Sequence, residues 1–394
     1  MFEQEIQSLQ AKGLYRRLRE VETAQGPRIT LNGREMISLA SNNYLGLAAH
    51  PRLKEAACDA VNEYGTGSGA SRLLSGTSVL HTRLEEEIAG FLGEEAALIF
   101  NSGYAANTGI LSALCSKEDL ILSDVLNHAS IADGCRLSRS DVKIYKHLDC
   151  DMLEDRLKTS YKNKYKRRWI VTESLFSMDG DLAPLPELAA LAERYRAHIY
   201  LDEAHATGVL GDKGRGSASL FGVEDRITLR MGTLSKALGS FGAFAAGDRD
   251  IIDLLINRSR PLIYSTALPP PVLAASRAAL ELVQTAEGDH LRDRLFSNIR
   301  RLARGLKGIG FEGISGETPI LPVILGPVQK ALEAAQALYE GGVFAPAIRP
   351  PTVPKGKSRL RFSVMAQHTA EDLDAVVSVL GQFVRGSRAA EPGL

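Results

Sequence analysis

From Leu53 to Ala246 the chain alternates amphipathic stretches of helical spacing with apolar runs too short to be helices, and few folds accommodate that rhythm. Helical patterns near Leu53 to Tyr64 and Leu80 to Leu92 precede strand-like runs near 96–100, 119–123, 141–145, 168–173, 198–202, 227–231 and 243–246. Strands that alternate with helices imply a largely parallel sheet covered by helices. Pro269-Pro270-Pro271 closes the region. Long helical runs at 272–286 and 289–308, short strands near 321–325 and 359–364, and a helix from Ala370 follow it. At 394 residues the chain is too long for one compact unit, so the reading predicts a large α/β domain over 41–282 and a smaller α+β domain over 283–394. Residues 1–40 read as a helix from Gln4 to Glu20 and a hairpin arm turning at Asn32-Gly33. Arg385 to Leu394 reads as a loose tail.

Two segments of the predicted sheet pair an acid with an amine. Asp202 ends the apolar run His198-Ile199-Tyr200-Leu201, where a charge is costly unless a cation sits opposite it. Lys236 lies in the small-residue stretch Thr233-Leu234-Ser235-Lys236-Ala237-Leu238-Gly239. A lysine that holds an aldehyde as a Schiff base, with a carboxylate that keeps a pyridine nitrogen protonated, is what pyridoxal phosphate requires. Taken singly, each also reads as ordinary: a solvated loop lysine, or a strand-end aspartate capping the next turn. Asn101-Ser102-Gly103-Tyr104 follows a strand and opens a helix, so the unpaired N–H groups of Ser102, Gly103 and Tyr104 can hold a phosphate, and Thr233 and Ser235 can add hydroxyls. A plain capped turn is the competing reading of Ser102-Gly103.

Asn127-His128-Ala129-Ser130, Phe176-Ser177-Met178-Asp179-Gly180-Asp181, Asp202-Glu203-Ala204-His205-Ala206-Thr207-Gly208 and Thr233-Leu234-Ser235-Lys236, in that order, resemble the α-oxoamine synthases. These are fold-type I pyridoxal phosphate enzymes that condense an amino acid with an acyl-CoA, and the match extends from about Gly13 into the final helical run. The resemblance implies an α/β fold-type I transferase with a large, mostly parallel seven-stranded sheet domain and a smaller α+β C-terminal domain. It also implies a homodimer with active sites at the subunit interface.

Residue by residue, the resemblance makes Lys236 the cofactor lysine and base, Asp202 the partner of the ring nitrogen, and His128 a ring stacked on the pyridine that also hydrogen-bonds substrate. Ser177 and His205 fall to the phenolic oxygen. For His128 a packed helix-start histidine, and for Ser177 a turn residue, are the alternatives. Arg361 is the expected clamp on the amino acid carboxylate, with Arg359 its competitor, since residues two apart share a strand face. Ala347-Ile348-Arg349-Pro350-Pro351-Thr352-Val353-Pro354 resembles the branch that joins L-alanine to a pimeloyl thioester of CoA or of acyl carrier protein. In that branch Arg16 corresponds to the reader of the distal carboxylate and Thr352 to a substrate contact near the acyl site, with Arg17 and Arg19 as neighbours of Arg16. Sister activities use glycine with acetyl-CoA or succinyl-CoA.

Gly65-Thr66-Gly67-Ser68-Gly69 follows a helical stretch and lacks the G-x-G-x-x-G spacing of a dinucleotide loop, which argues against a nicotinamide oxidoreductase. By resemblance it lines the active site at the subunit interface, and Thr77 reaches the partner's phosphate. Equal numbers of basic and acidic residues, 47 each, argue against nucleic acid as a partner, and with it against a non-catalytic cofactor-binding regulator. The basic run from Tyr161 to Arg168 reads as a solvated connection or a cationic patch near a CoA path. Four cysteines without paired spacing predict free thiols and no metal site. No export signal or membrane span is visible, so a cytoplasmic protein is expected.

Overall fold

The computed structural model describes residues 2–162 and 165–390. Asn32-Gly33 joins β1 (Arg28–Leu31) to β2 (Arg34–Ser38), with φ of 51° and 70° at the two turn residues, the left-handed pair that a tight hairpin needs. The predicted sheet strands follow as β3 (Ala96–Phe100), β4 (Leu120–Asp124), β5 (Asp141–Tyr145), β6 (Arg168–Glu173), β7 (His198–Asp202), β8 (Leu229–Thr233) and β9 (Ala243–Gly247). They form one sheet in the order β3-β9-β8-β7-β6-β4-β5. The pairs from β5 through β8 are parallel, and β9 runs antiparallel to both neighbours.

Side chains alternate across this sheet with a period of two. Tyr200, Val171 and Met231 pack with the helices Gly103–Leu114 and Ala129–Ser138, while Ile199, Leu201 and Ile170 pack with Cys150–Ser160 and Leu185–Arg194 on the other face. Burial on both faces is why these strands read as continuous apolar runs. Gly134 lets its helix approach the one before it: a Cβ there would lie 2.7 Å from the Asn107 carbonyl oxygen.

Contacts divide the chain into two units, one of Ala49–Ser177 with Asp181–His290, the other of Met1–Ala48, Met178–Gly180 and Leu291–Leu394. The second unit contains β10 (Ile320–Gly326), β11 (Val343–Phe344), β12 (Ala347–Ile348) and β13 (Ser358–Ser363). β13 pairs antiparallel with β10 and β12, and β2 pairs in parallel with β11, so the arm that reads as a separate extension belongs with the C-terminal elements. That pairing joins residues about three hundred positions apart, beyond the reach of local pattern. The first helix spans Phe2–Ala11 rather than reaching Glu20, because Gly13 takes φ of 63° and ends it. Arg16 to Glu20 are therefore not helical.

In the basic run, Arg167 forms two bonds of 3.0 Å to Asp119, and Arg168 binds Ser160 and lies over the Tyr161 ring. Those two arginines serve the fold. Asn163 and Lys164 of that run, and 391–394 of the tail, lie outside the described residues. Among the described residues no helix is long and apolar enough to cross a membrane.

Candidate active site

Six strands of the large sheet point the same way, and the carboxyl ends of five of them deliver the expected site residues. β3 leads to Ser102, β4 to His128, β6 to Ser177, β7 ends in Asp202, and β8 ends in Thr233. Ligands of open α/β sheets bind outside such ends. Lys236 sits in the β8–β9 connection, which needs no crossover helix because β9 is antiparallel. Leu234, Ala237 and Leu238 are buried, and bonds from Leu234 N–H to the Gly242 carbonyl (3.0 Å) and from Ser240 N–H to the Leu234 carbonyl (2.9 Å) close the loop. Lys236 stays half-buried and Ser235 exposed. Ser235 and Thr233 share a hydroxyl contact of 2.7 Å.

Asp202 is 4% exposed. Its Oδ1 accepts the Ala204 N–H at 2.9 Å and its Oδ2 accepts Asn107 Nδ2 at 2.8 Å. His205, three residues on, is buried as well. Ser102 caps the helix Gly103–Leu114, accepting the Ala105 N–H at 3.1 Å. A Cβ built on Gly103 would meet nothing nearer than Met231 Cε at 4.0 Å, so the backbone there is open to close approach. Tyr104, half exposed, gives its hydroxyl proton to Asp133.

His128 caps the next helix, its Nδ1 accepting the Ser130 N–H at 3.3 Å and lying 2.7 Å from Ser130 Oγ. The residue is open to solvent, yet desolvation by the protein packed around it, helped by the charge of Lys236, holds the imidazole below the ordinary histidine range against the pull of Asp202. Lys236 and Asp202 thus act on one ring. A buried strand-end carboxylate, a half-buried lysine, an accessible imidazole and an open helix N-terminus fit pyridoxal phosphate on its nitrogen, aldehyde, ring and phosphate sides.

Glu173 is a site group that the motifs did not single out. It ends β6 in register with Asp202, and burial, then the charge of Asp202, pushes its carboxyl up to about 8. Its Oε2 accepts the Ser177 N–H at 3.3 Å, and its Oε1 is buried without a hydrogen-bond partner. The signal was available, since Trp169-Ile170-Val171-Thr172-Glu173 is an apolar strand ending in an acid, just as β7 is.

The remaining expected residues belong to the second unit. Arg359 binds Asp179 at 2.6 Å and the Met178 carbonyl, whereas Arg361 donates to Asn42 Oδ1 at 3.1 Å, Ser363 Oγ at 2.8 Å and the Tyr44 hydroxyl at 3.3 Å. The ion pair separates two arginines that strand alternation left equivalent. A cavity of about 950 Å³ in this unit is lined by Tyr15, Arg16, Arg17, Arg19 and Arg349 among others. Arg16 donates to Thr352 Oγ1 at 3.4 Å, while Arg17 lies over the Tyr15 ring and Arg19 over Tyr339. Arg349 Nε is buried without a partner, and burial, then the charge of Arg16, holds this guanidinium below its usual range.

A family profile described as aminotransferase class I and II matches residues 34–380. The chain is 54% identical over 384 residues to the 8-amino-7-oxononanoate synthase of Geotalea daltonii, covering 98% of each, and 51% identical to that of Citrifermentans bemidjiense, covering 97% of each. Among solved structures, serine palmitoyltransferase from S. paucimobilis with bound PLP–myriocin superimposes with a TM-score of 0.93 at 32% identity over 98% of each chain. The 8-amino-7-oxononanoate synthase of Francisella tularensis gives 0.76 at 30% identity, over 90% of this chain and 99% of that one. Fold and site define a fold-type I pyridoxal phosphate-dependent transferase. The chain belongs to the class I and II aminotransferase family, and within it to the 8-amino-7-oxononanoate synthases.

One ion-pair cluster braces the loops of this site. His147 Nδ1 lies 3.0 Å from Asp124, which ends β4, and Nε2 lies 2.9 Å from Asp181, while the ring meets Phe176 edge-on at 4.4 Å. Burial alone would lower this histidine, but the two carboxylates outweigh it and raise it to about 10. A base that binds its proton more tightly when folded than at its unfolded value of about 6.5 stabilises fully below that value and loses the effect as pH climbs toward the folded one. Urea midpoints of wild type and His147→Gln should therefore differ most near pH ~6 and converge near pH ~10. A gap that stays constant across this range would remove the charged clamp.

Proposed function

We infer that this chain is a pyridoxal phosphate-dependent acyltransferase that condenses L-alanine with a pimeloyl thioester to 8-amino-7-oxononanoate in biotin biosynthesis. The observation carrying this reading is its relatives of that name, about half identical to it over almost their whole length. In the reaction the alanine Cα gives up a proton and bonds to the pimeloyl carbonyl carbon as the thiol leaves, the alanine carboxylate departs as CO2, and a proton returned to Cα takes up the bonding pair left behind. Bound cofactor supplies the aldehyde and an electron-accepting ring. Lys236 would hold the aldehyde, and its free amine would move the Cα proton. Asp202 would keep the ring nitrogen protonated, and His128 would lie against the ring. Ser177 and His205 are assigned to the phenolic oxygen, and the Ser102-Gly103-Tyr104 helix start with Thr233 and Ser235 to the phosphate. Arg361 takes the alanine carboxylate.

The acyl end is read by charge. Arg16 and Arg349, two cations lining one cavity, suit the free carboxylate of a pimeloyl chain, with Thr352 beside Arg16. The thioester comes on CoA or on a carrier protein. We also assign a cytoplasmic homodimer. Leu73, Leu74 and Tyr264 are 52%, 80% and 70% exposed, and the Ser71–Thr266 bridge sets their segments side by side as an apolar surface for a second copy. Sedimentation should return twice the 42.6 kDa chain mass, and a monomer at working concentration would refute the assignment.

Purified holoenzyme given alanine and pimeloyl thioester should release free thiol, while Lys236→Ala should bind cofactor only non-covalently and release none. A borohydride-fixed label on a different lysine would displace Lys236 from its role.

Octanoyl thioester lacks the distal charge and should be a poor substrate. A charge-assisted bond of about 1.5–3 kcal/mol corresponds to roughly ten- to a hundred-fold in relative efficiency. Arg16→Ala should narrow the pimeloyl-over-octanoyl preference by about that factor and leave alanine binding unchanged. Full retention of the preference would shift the role to Arg17 or Arg19.

A further inference from the structure

Three buried side chains beneath the site, Tyr200, Asn107 and Ser130, have no part in the chemistry so far, yet they form one directed chain of hydrogen bonds. Tyr200 is fully buried, and burial raises its phenol far above the usual range, so it remains a donor; its hydroxyl meets Asn107 Oδ1. Both protons of Asn107 Nδ2 are then committed, one to Asp202 Oδ2 at 2.8 Å and one to Ser130 Oγ at 2.9 Å. The amide cannot be turned over, because that would set its oxygen against an Asp202 carboxyl oxygen at 2.8 Å. Ser130 Oγ accepts from Asn107, which leaves its own proton for His128 Nδ1, 2.7 Å away. The Ser130 N–H points at the same nitrogen from 3.3 Å. Two donors converging on Nδ1 require a lone pair there.

We propose that Asn107 and Ser130 are positioning residues that set the tautomer of His128, keeping Nδ1 unprotonated so that Nε2–H is the donor this ring offers to a substrate oxygen. The proposal rests on the reading of His128 as a cofactor and substrate contact. Through the same amide, Asn107 fixes Asp202, so one side chain aligns the acid serving the ring nitrogen and the imidazole lying against the ring. Period-two alternation on β7 makes this sharing possible, since Tyr200 and Asp202 face the same helix.

The test uses holoenzyme labelled with 15N-histidine, the His128 signals being assigned by their loss in His128→Gln. The expected result is an unprotonated Nδ1 and a protonated Nε2 in the wild type. Ser130→Ala should shift protonation toward Nδ1 and lower kcat by about ten-fold, the scale of one well-placed hydrogen bond, with little change in KM for alanine. Ser130→Thr, which keeps the hydroxyl, should restore both. A protonated Nδ1 in the wild type, or a tautomer unmoved by Ser130→Ala, overturns the proposal. His128 signals that do not respond when cofactor is added to the apoenzyme overturn instead the reading of His128 on which it stands.

Discussion

The site is organised around a carboxylate placed where carboxylates are costly. Asp202 closes a strand whose neighbours on both sides are buried, and taking such a group out of water without partners costs several kilocalories per mole. Two N–H donors, from Ala204 and Asn107, offset part of that cost, and a protonated ring nitrogen would supply the opposite charge. The same burial keeps Glu173 from adding a second negative charge in the adjacent register position, because its carboxyl is pushed up to about 8. One carboxyl at the sheet end thus faces Ala204 and Asn107, and the other holds the loop of Ser177.

Much of the large sheet was legible because burial on both faces turns a strand into an uninterrupted apolar run, and the acid ending such a run stands out. Lys236 stands out only in company: alone it reads as a solvated loop lysine, and it is the order of Thr233-Leu234-Ser235-Lys236 after Asp202 and His205 that singles it out. The arm pairing of β2 with β11 was not legible, since no local signal marks parallel pairing between a segment near one terminus and a two-residue strand near the other. The first helix was read too long because the helical pattern continued past Gly13 while the backbone did not. Strand alternation could not tell Arg359 from Arg361; the resemblance favours Arg361, and the ion pair to Asp179 engages Arg359.

Asn107 carries little signal in the sequence. In sequence it is one polar residue in an apolar helical run, and such residues are commonly solvent-facing. Here it is 1% exposed, which converts a bland amide into a junction between two strands' worth of chemistry. A polar side chain on the buried face of a helix that starts at a proposed anion site is the signal that could have found it.

The β8–β9 connection has an evolutionary corollary. Leu234 to Gly242 spans two strands paired residue for residue, with Thr233 opposite Ala243, and every residue of both strands is buried. Inserting or deleting a single position would either buckle the loop or slip β9 by one place, turning each of its side chains to the opposite face of the sheet. Length variation among descendants of this scaffold should therefore collect in the crossover loops and spare this hairpin. Chemistry can diversify around the lysine, but the ruler that measures its reach is locked into the sheet.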